Sequence, residues 1–389
     1  MTRYDFTTLP DRLSTNAIKW LKTKEDKDLL PLWIADMDFP VFPEMSEALQ
    51  GFANRTVFGY DEPSESLFQA IVDWEMAEHH YAISPEDLVL IEGVVPAISV
   101  AIQAYTKEGD AVLINTPVYP PFARSVKLNK RKLITNSLLV QNDHFEIDFA
   151  QLEKDIVDNE VKLYILCSPH NPGGRVWTRD ELEKIGRLCQ KHGVLMVSDE
   201  IHQDLTLFGH EHHSFNTVAP EFKDFAIILS SATKTFNIAG TKNSFAIIQN
   251  PELRKTFKDQ QLVNNQHEVS SLGLLATEVA LRKGKPWLEQ LKPVLEGNIT
   301  YLAETFDANL PKLKFLKPEG TYLVWLDFSD FGLEHEEISR LLLEEAKVQL
   351  NDGLTFGREG KCHFRFNTAA PADIVQEAVD RIVKTFADR

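Results

Sequence analysis

Ser230-Ser231-Ala232-Thr233-Lys234-Thr235-Phe236-Asn237-Ile238-Ala239-Gly240-Thr241-Lys242 decides how the rest of this 389-residue chain is read. It follows Ala226-Ile227-Ile228-Leu229, an apolar run with the length and β-branched content of a buried strand. Ser230, Ser231 and Thr233 precede Lys234 and Thr235 follows it, so one amine stands among small hydroxyls just past a strand end. A solvated surface charge explains such a lysine poorly. A desolvated amine loses its proton and condenses with carbonyls to a Schiff base, and hydroxyls around it can hold a phosphate. A purely structural Ser/Thr-rich strand end is the alternative for this segment by itself.

Three other segments place chemistry at strand ends. Leu163 to Cys167 leads into Ser168-Pro169-His170-Asn171-Pro172-Gly173-Gly174. The prolines fix the backbone and the glycines permit turns closed to other residues, so Asn171 is presented rigidly; an ordinary Asn-Pro turn is the alternative. The apolar run 194–198 ends in Asp199-Glu200-Ile201-His202. An unpaired carboxylate there costs several kcal/mol, so Asp199 needs a cation such as a protonated heterocyclic nitrogen, unless it caps a helix. Leu88-Val89-Leu90-Ile91-Glu92-Gly93-Val94-Val95-Pro96 reads as a strand, a glycine and a proline-started helix, whose free N–H groups suit an anion.

In chain order, Gly93-Val94-Val95, Pro117-Val118-Tyr119, Asn171-Pro172, Asp199-Glu200-Ile201-His202, Ser231-Ala232-Thr233-Lys234 and Arg365 resemble the fold-type I pyridoxal-phosphate enzymes, class I/II aminotransferase superfamily. Trp33-Ile34-Ala35-Asp36-Met37-Asp38-Phe39-Pro40, Phe58-Gly59-Tyr60, and His202 where most aminotransferases carry tyrosine, resemble its MalY/PatB-type cystathionine β-lyases, or cysteine C–S lyases. The resemblance runs over essentially the whole chain. It implies pyridoxal 5'-phosphate as cofactor, held by Lys234 as a Schiff base, with Lys234 then removing the substrate Cα proton. Asp199 would pair with the protonated pyridine nitrogen, Asn171 would hydrogen-bond the phenolic oxygen, Tyr119 would stack on the ring, and His202 would complete the set. Gly93 and the amides of Val94 and Val95, with Ser231, Thr233 and Lys242, would hold the phosphate. Lys242 stands where many relatives carry arginine and would act as a point charge without the bidentate fork. Arg365, within Phe364-Arg365-Phe366-Asn367, would clamp the substrate carboxylate, a buried structural salt bridge being the alternative. Tyr60 would reach the site from a second subunit, which makes a homodimer the expected assembly. The segment around Asp38 would lie at the entrance, with Asp38 on the substrate.

Composition narrows the partners. A net charge of −17 argues against nucleic acid or an anionic membrane as main partner, and the resemblance implies a small amino-acid substrate. No apolar segment precedes the charged start, and no apolar run nears the length of a membrane span. Cys167, Cys189 and Cys362 are widely spaced, which predicts buried thiols in a reducing cytoplasm. His210-Glu211-His212-His213 suggests a metal site, but it lacks helix or strand register, so a solvated loop and no metal are expected. Asn351-Asp352-Gly353 reads as a turn, and the 24 phenylalanines as core.

Helical spacing is read at 43–53, 64–79, 96–106, 179–191 (Thr178 as cap), 287–309, 335–349 and 371–387. Strands are read at 88–91, 111–115, 161–167, 194–198, 226–229, 244–248, 320–327 and 362–367. Alternating strands and helices predict an α/β fold whose ligand lies outside the carboxyl ends of a mainly parallel sheet. With the resemblance, this becomes the fold-type I architecture: a large domain with a seven-stranded sheet flanked by helices, plus a smaller α/β C-terminal domain. The expected divisions are an arm and small-domain segment at 1–45, the large cofactor-binding domain at 46–285 and the small domain at 286–389. The implied reaction is β-elimination from L-cystathionine, L-cysteine and related S-conjugates, giving a thiol (homocysteine or hydrogen sulfide), pyruvate and ammonia. Thiolate is a good leaving group and needs little acid help. An aminotransferase of aromatic or dicarboxylic amino acids is the alternative, and regulatory binding of another protein beside catalysis is a third.

Overall fold

Apolar strands with no polar face are stable only between two covering layers. In the computed structural model, which describes residues 3–141 and 143–389, seven strands are arranged in that way. They are β1 (Leu88–Ile91), β2 (Ala111–Thr116), β3 (Lys132–Ser137), β4 (Leu163–Cys167), β5 (Leu195–Asp199), β6 (Ala226–Ser230) and β7 (Ser244–Ile247). Their spatial order is β1-β7-β6-β5-β4-β2-β3. Strands β2 to β6 pair in parallel, and only β7 runs antiparallel to both its neighbours. The sheet is therefore mainly parallel and seven-stranded, as the sequence predicts.

The period of two along each strand sends alternate residues to two separate cores. Leu88, Leu90, Leu113, Tyr164 and Leu166 join one. Val89, Ile91, Val112, Ile114, Leu163 and Ile165 join the other. Helices Val94–Tyr105 and Pro121–Leu128 cover the second face, while Glu65–His79, Arg179–His192 and Lys285–Asn309 cover the first. Helix Arg179–His192 starts with the expected Thr178 cap, reciprocated by Glu181, and ends at Gly193 in the left-handed region.

A smaller antiparallel sheet is built from β8 (Lys314–Leu316), β9 (Leu323–Asp327), β10 (Asn351–Asp352) and β11 (His363–Asn367), in the order β8-β9-β11-β10. Helix Ala372–Phe386 packs beside it through Phe386 on Phe328, ring centroids 5.0 Å apart.

The expected helix at 335–349 is a correction. It runs regularly only over His335–Arg340, widens into a π-turn at Leu341–Glu345, and gives way to a strand at Val348–Gln349. Lys347 adopts a positive φ of 56°, and Val348 and Gln349 then pair in parallel with Leu30 and Pro31. Tertiary pairing of the N-terminal segment thus overrides local helical spacing. The hairpin Leu139–Gln141/His144–Glu146 and helices Phe149–Asp158, Pro251–Val263 and Ser271–Lys283 are further elements that the sequence reading lacks. Among the described residues no helix is long and apolar enough to cross a membrane. All three cysteines are free and buried.

Candidate active site

Beyond the carboxyl ends of β1, β2, β4, β5 and β6 lies a cavity of about 730 Å³. Each strand delivers one part of it. Lys234 stands on a single helical turn, Ala232–Thr235, opened by the Ser231 hydroxyl accepting from the Thr233 N–H. Its Nζ donates to the Ala35 carbonyl at 2.6 Å, which also accepts from the Tyr322 hydroxyl. Burial, reinforced by the nearby Arg365 cation, pulls the amine down to about 8, so a nucleophilic fraction exists near neutral pH.

Asp199 ends β5 with its carboxylate accepting only the Ile201 N–H, which makes a local turn and not a helix cap. Among the described residues it forms no ion pair at contact distance. Burial first, then repulsion from Glu200, raises it to about 7. A carboxyl in this state gains most from a hydrogen-bonding cation placed in the cavity. A protonated pyridine nitrogen has that chemistry.

Arg365 is the complementary case. Its guanidinium is buried, donates to Asn171 Oδ1 (2.9 Å), the Trp33 carbonyl (3.0 Å) and Asn351 Oδ1 (2.5 Å), and leaves Nε without a partner. Burial pulls it down to about 10. No carboxylate pairs with it among the described residues, so the alternative, a structural salt bridge, is not formed. By accepting from Arg365, the Asn171 oxygen also fixes the amide so that Nδ2 remains to donate. Tyr119 joins the same wall, its N–H bonded to the Asn171 carbonyl at 3.1 Å. Gly174 makes this loop possible: at φ 66° its carbonyl accepts from both Glu319 and Gly320, and a Cβ there would strike Pro318 at 2.3 Å.

The anion cradle is formed where helix Val94–Tyr105 begins. Its first N–H groups have no intrahelical acceptor, and Pro96 has none to offer. Gly93, Val94 and Val95 share the cavity wall with Thr233 and Lys242. Ser231 does not reach that wall. Its hydroxyl is engaged inside the loop by the Asn243 carbonyl and by Thr233. His202 does line the cavity; burial and the Lys234 and Arg365 cations hold it down at about 3, and its Nδ1 has no partner.

Two further expectations are placed elsewhere. Asp38 is buried and saturated by Lys19 (2.7 Å), Arg12 (3.0 Å) and the Trp20 indole (2.9 Å), outside the cavity. It anchors the entrance segment, three donors holding its carboxylate away from the cavity. Tyr60 is 97% exposed and away from the cavity within one chain. In the histidine run, His212 is buried against Glu200 at 3.1 Å and not solvated, and no metal-binding group is found among the described residues.

Several lining groups escape the sequence reading. The Ala35 carbonyl carries no side-chain signal. Asn351 sits in what reads as an ordinary turn, and Arg124 lies in the unread helix Pro121–Leu128. An amine of lowered proton affinity, a carboxyl seeking a cation and a cradle of free N–H groups with Lys242 together fit pyridoxal phosphate.

The sequence matches the Aminotransferase class I and II family over residues 27–382. It is 39% identical to the cystathionine beta-lyase PatB of Bacillus subtilis, over 96% of this chain and 97% of that protein. Cystalysin from Treponema denticola, whose crystal structure contains pyridoxal 5'-phosphate, superposes with a TM-score of 0.96 at 35% identity, over 100% of both chains. A pyridoxal-phosphate-bound C–S lyase from Staphylococcus hominis superposes at 0.92 with 30% identity, over 99% of this chain and 98% of that one.

Proposed function

Starting from a chain that belongs to the class I and II aminotransferase family, we propose a pyridoxal-phosphate-dependent C–S β-lyase acting on L-cystathionine, L-cysteine and related S-conjugates. The observation that carries the chemistry is the pairing, in one cavity, of a partly neutral Lys234 with an Asp199 that forms no contact ion pair among the described residues. Similarity to a cystathionine beta-lyase and to a C–S lyase supports elimination over transamination.

When bound, pyridoxal phosphate supplies an aldehyde that condenses with amines and a protonated ring that accepts the electron pair left by Cα–H cleavage. Lys234 holds that aldehyde, is released by the incoming amino group, and then takes the Cα proton. Asp199, ionised against the ring nitrogen, keeps that nitrogen protonated. Asn171 Nδ2 orients the phenolic oxygen, and Tyr119 covers the ring. Gly93, Val94, Val95, Thr233 and Lys242 take the phosphate. Arg365 binds the substrate carboxylate and sets which Cα bond faces Lys234. Cleavage of Cα–H and Cβ–S, followed by addition of water, releases thiol, pyruvate and ammonia.

The active assembly is a homodimer in which Tyr60 completes the partner's site. The exposed run Val57, Phe58 and Tyr60, at 75%, 65% and 97% exposure, supports this. Mixing the Lys234→Ala and Tyr60→Ala proteins regenerates one intact site per mixed dimer and so restores activity; mixtures as inactive as their parents would refute the shared site. The three free, buried thiols support a reducing, cytoplasmic setting.

The deciding experiment measures pyruvate and thiol from L-cystathionine with no keto acid present, with Lys234→Ala as control. Sustained turnover absent from the control is expected. A single half-turnover that resumes only with a keto acid would make the protein an aminotransferase.

A further inference from the structure

A buried polar cluster stands beside the Lys234 turn, outside the cavity wall that the lyase chemistry uses. At its centre is Asp204, in the turn that follows Asp199. Oδ1 accepts from the Trp74 indole at 3.0 Å and sits 2.8 Å from His79 Nε2, both on helix Glu65–His79. Oδ2 accepts from the Thr235 hydroxyl at 2.6 Å. All four side chains are buried. Burial by itself pushes the Asp204 carboxyl up, and the His79, Thr235 and Trp74 hydrogen bonds more than reverse that. Burial likewise opposes charge on His79 more than any single interaction favours it, but the bond to Asp204 together with the charges of Glu75, Asp204 and Glu200 outweighs it, lifting the imidazole to about 9. The pair is therefore an imidazolium–carboxylate with two neutral donors attached. Polar groups around it include Glu75, held by Gln203 at 2.7 Å, Glu200 with His212, and, across a small cavity of about 100 Å³, Glu78, Thr206, His210, Glu211 and Lys292.

The connectivity matters more than the charge. Thr235 is the residue after Lys234, on a helix of one turn, and one turn has no stability of its own. Asp204 lies five residues past Asp199, on the loop leaving β5, while Thr235 is on the loop leaving β6. The carboxylate thus ties together the two loops that carry the two ends of the cofactor site, and keys both to one long helix. A ring that must meet Asp199 at one side and Lys234 at the other is sensitive to that separation.

We propose that Asp204 is a positioning residue: through its bond to Thr235 it sets the distance and angle between the Lys234 amine and the Asp199 carboxylate. It touches neither cofactor nor substrate. Only the kinetic readout rests on the lyase assignment.

The test uses the cofactor-loaded enzyme carrying Thr235→Val, which keeps side-chain shape and removes the donor, with Thr235→Ser as the conservative rescue. Two readouts are followed: the pH midpoint of the bound cofactor's absorption band without substrate, and kcat and KM with L-cystathionine. Thr235→Val is expected to move the midpoint and to lower kcat about tenfold or more with KM nearly unchanged, because small misplacements at a reacting centre are expensive. Thr235→Ser is expected to restore both. If Thr235→Val leaves the midpoint and kcat at wild-type values, the bond is structural only and the proposal falls, whatever the melting temperature does. If Thr235→Val does not fold, Asp204→Asn is measured in the same way, since one amide oxygen cannot serve donors on both sides; unchanged values overturn the proposal equally. Should no sulfur substrate turn over in wild type, the lyase assignment fails, while the spectral midpoint still decides the role of Asp204.

Discussion

Asp199→Asn should make the cofactor-free protein more stable and the enzyme nearly inactive. The carboxyl of Asp199 is moved by burial from its ordinary 3.8 to about 7, the Ile201 N–H and the Lys234 cation offsetting only part of that. A raised acid contributes its full share of stability below pH 3.8, where both folded and unfolded chains hold the proton. Between 3.8 and about 7 the unfolded chain releases that proton and the folded one does not. Stability therefore falls by about 1.4 kcal/mol per pH unit, to a total of about 4 kcal/mol above pH 7. Asparagine mimics the protonated form in shape and can accept from the same N–H, but it does not titrate. Urea unfolding of cofactor-free wild type and Asp199→Asn at about pH 5 and pH 8 isolates this group, because every other titrating side chain is present in both proteins. The advantage of the variant should grow by about 3 kcal/mol between the two pH values. Adding pyridoxal phosphate should reverse the order, since only the carboxylate holds the ring nitrogen as a cation. A variant no more stable than wild type at the higher pH would mean that the Asp199 charge is already compensated in the folded chain, and would remove the main reason for placing a cationic ring there.

Arg365→Lys removes a planar fork while retaining a charge. With charge-assisted hydrogen bonds worth roughly 1.5–3 kcal/mol each, losing one to two of them should raise KM by about 10–10⁴-fold with a smaller change in kcat. Steady-state kinetics on L-cystathionine checks this, and an unaltered KM would count against carboxylate binding. Asp38→Asn leaves the fully buried Lys19 amine without its closest anion, so urea unfolding should show a loss of about 3–5 kcal/mol. A mutant of unchanged stability with a raised KM would instead return Asp38 to the substrate. Arg124 lines the cavity without an ion-pair partner at contact distance among the described residues, and is close enough to Tyr119 to hold its phenol lower than burial alone does. Arg124→Gln should lower kcat/KM for S-conjugates with a distal carboxylate by about tenfold and leave S-alkyl cysteines nearly unchanged. Equal losses on both would show that it does not read the distal charge.

What the sequence discloses, and what it hides, follows from where each signal is stored. Lys234, Asp199, Asn171 and the Val94 turn each follow within a few residues of an uninterrupted apolar run, and such runs are strands buried on both faces of a doubly covered sheet. The strand end then fixes the depth of the next residue without knowledge of the rest of the fold. Strand β3 carries no such signal: it is an edge strand with exposed Lys132 and Thr135, so its apolar content is diluted. The strand at Val348–Gln349 is hidden for a different reason, since its partner lies more than 300 residues earlier at Leu30–Pro31. The partners that hold Asp38 and Ser231 are not legible in the motif, which specifies residue type and order but not the partner. Lys19 and Arg12 reach Asp38 from the arm, and the Asn243 carbonyl claims Ser231.

The polar groups around the cavity show why this arrangement is a site and not a by-product of the fold. A buried carboxylate and a buried guanidinium in one cavity would lower the energy most by pairing with each other. Asp199 and Arg365 do not pair. Asn171, Asn351 and the Trp33 carbonyl hold the guanidinium on one wall, and Asp199 stays at the end of β5 on another. Each charge is kept available by neutral partners that cannot cancel it. The cost falls on the protein without its ligand, and a zwitterionic amino acid together with a cationic ring bearing a phosphate reverses it at every point. Replacing Asn171 by aspartate tests this directly. The new carboxylate would lie 2.9 Å from Arg365 and neutralise it, so the protein should melt at a higher temperature and bind substrate far more weakly. If Asn171→Asp binds L-cystathionine as well as wild type does, the separation of charges is not what prepares the site.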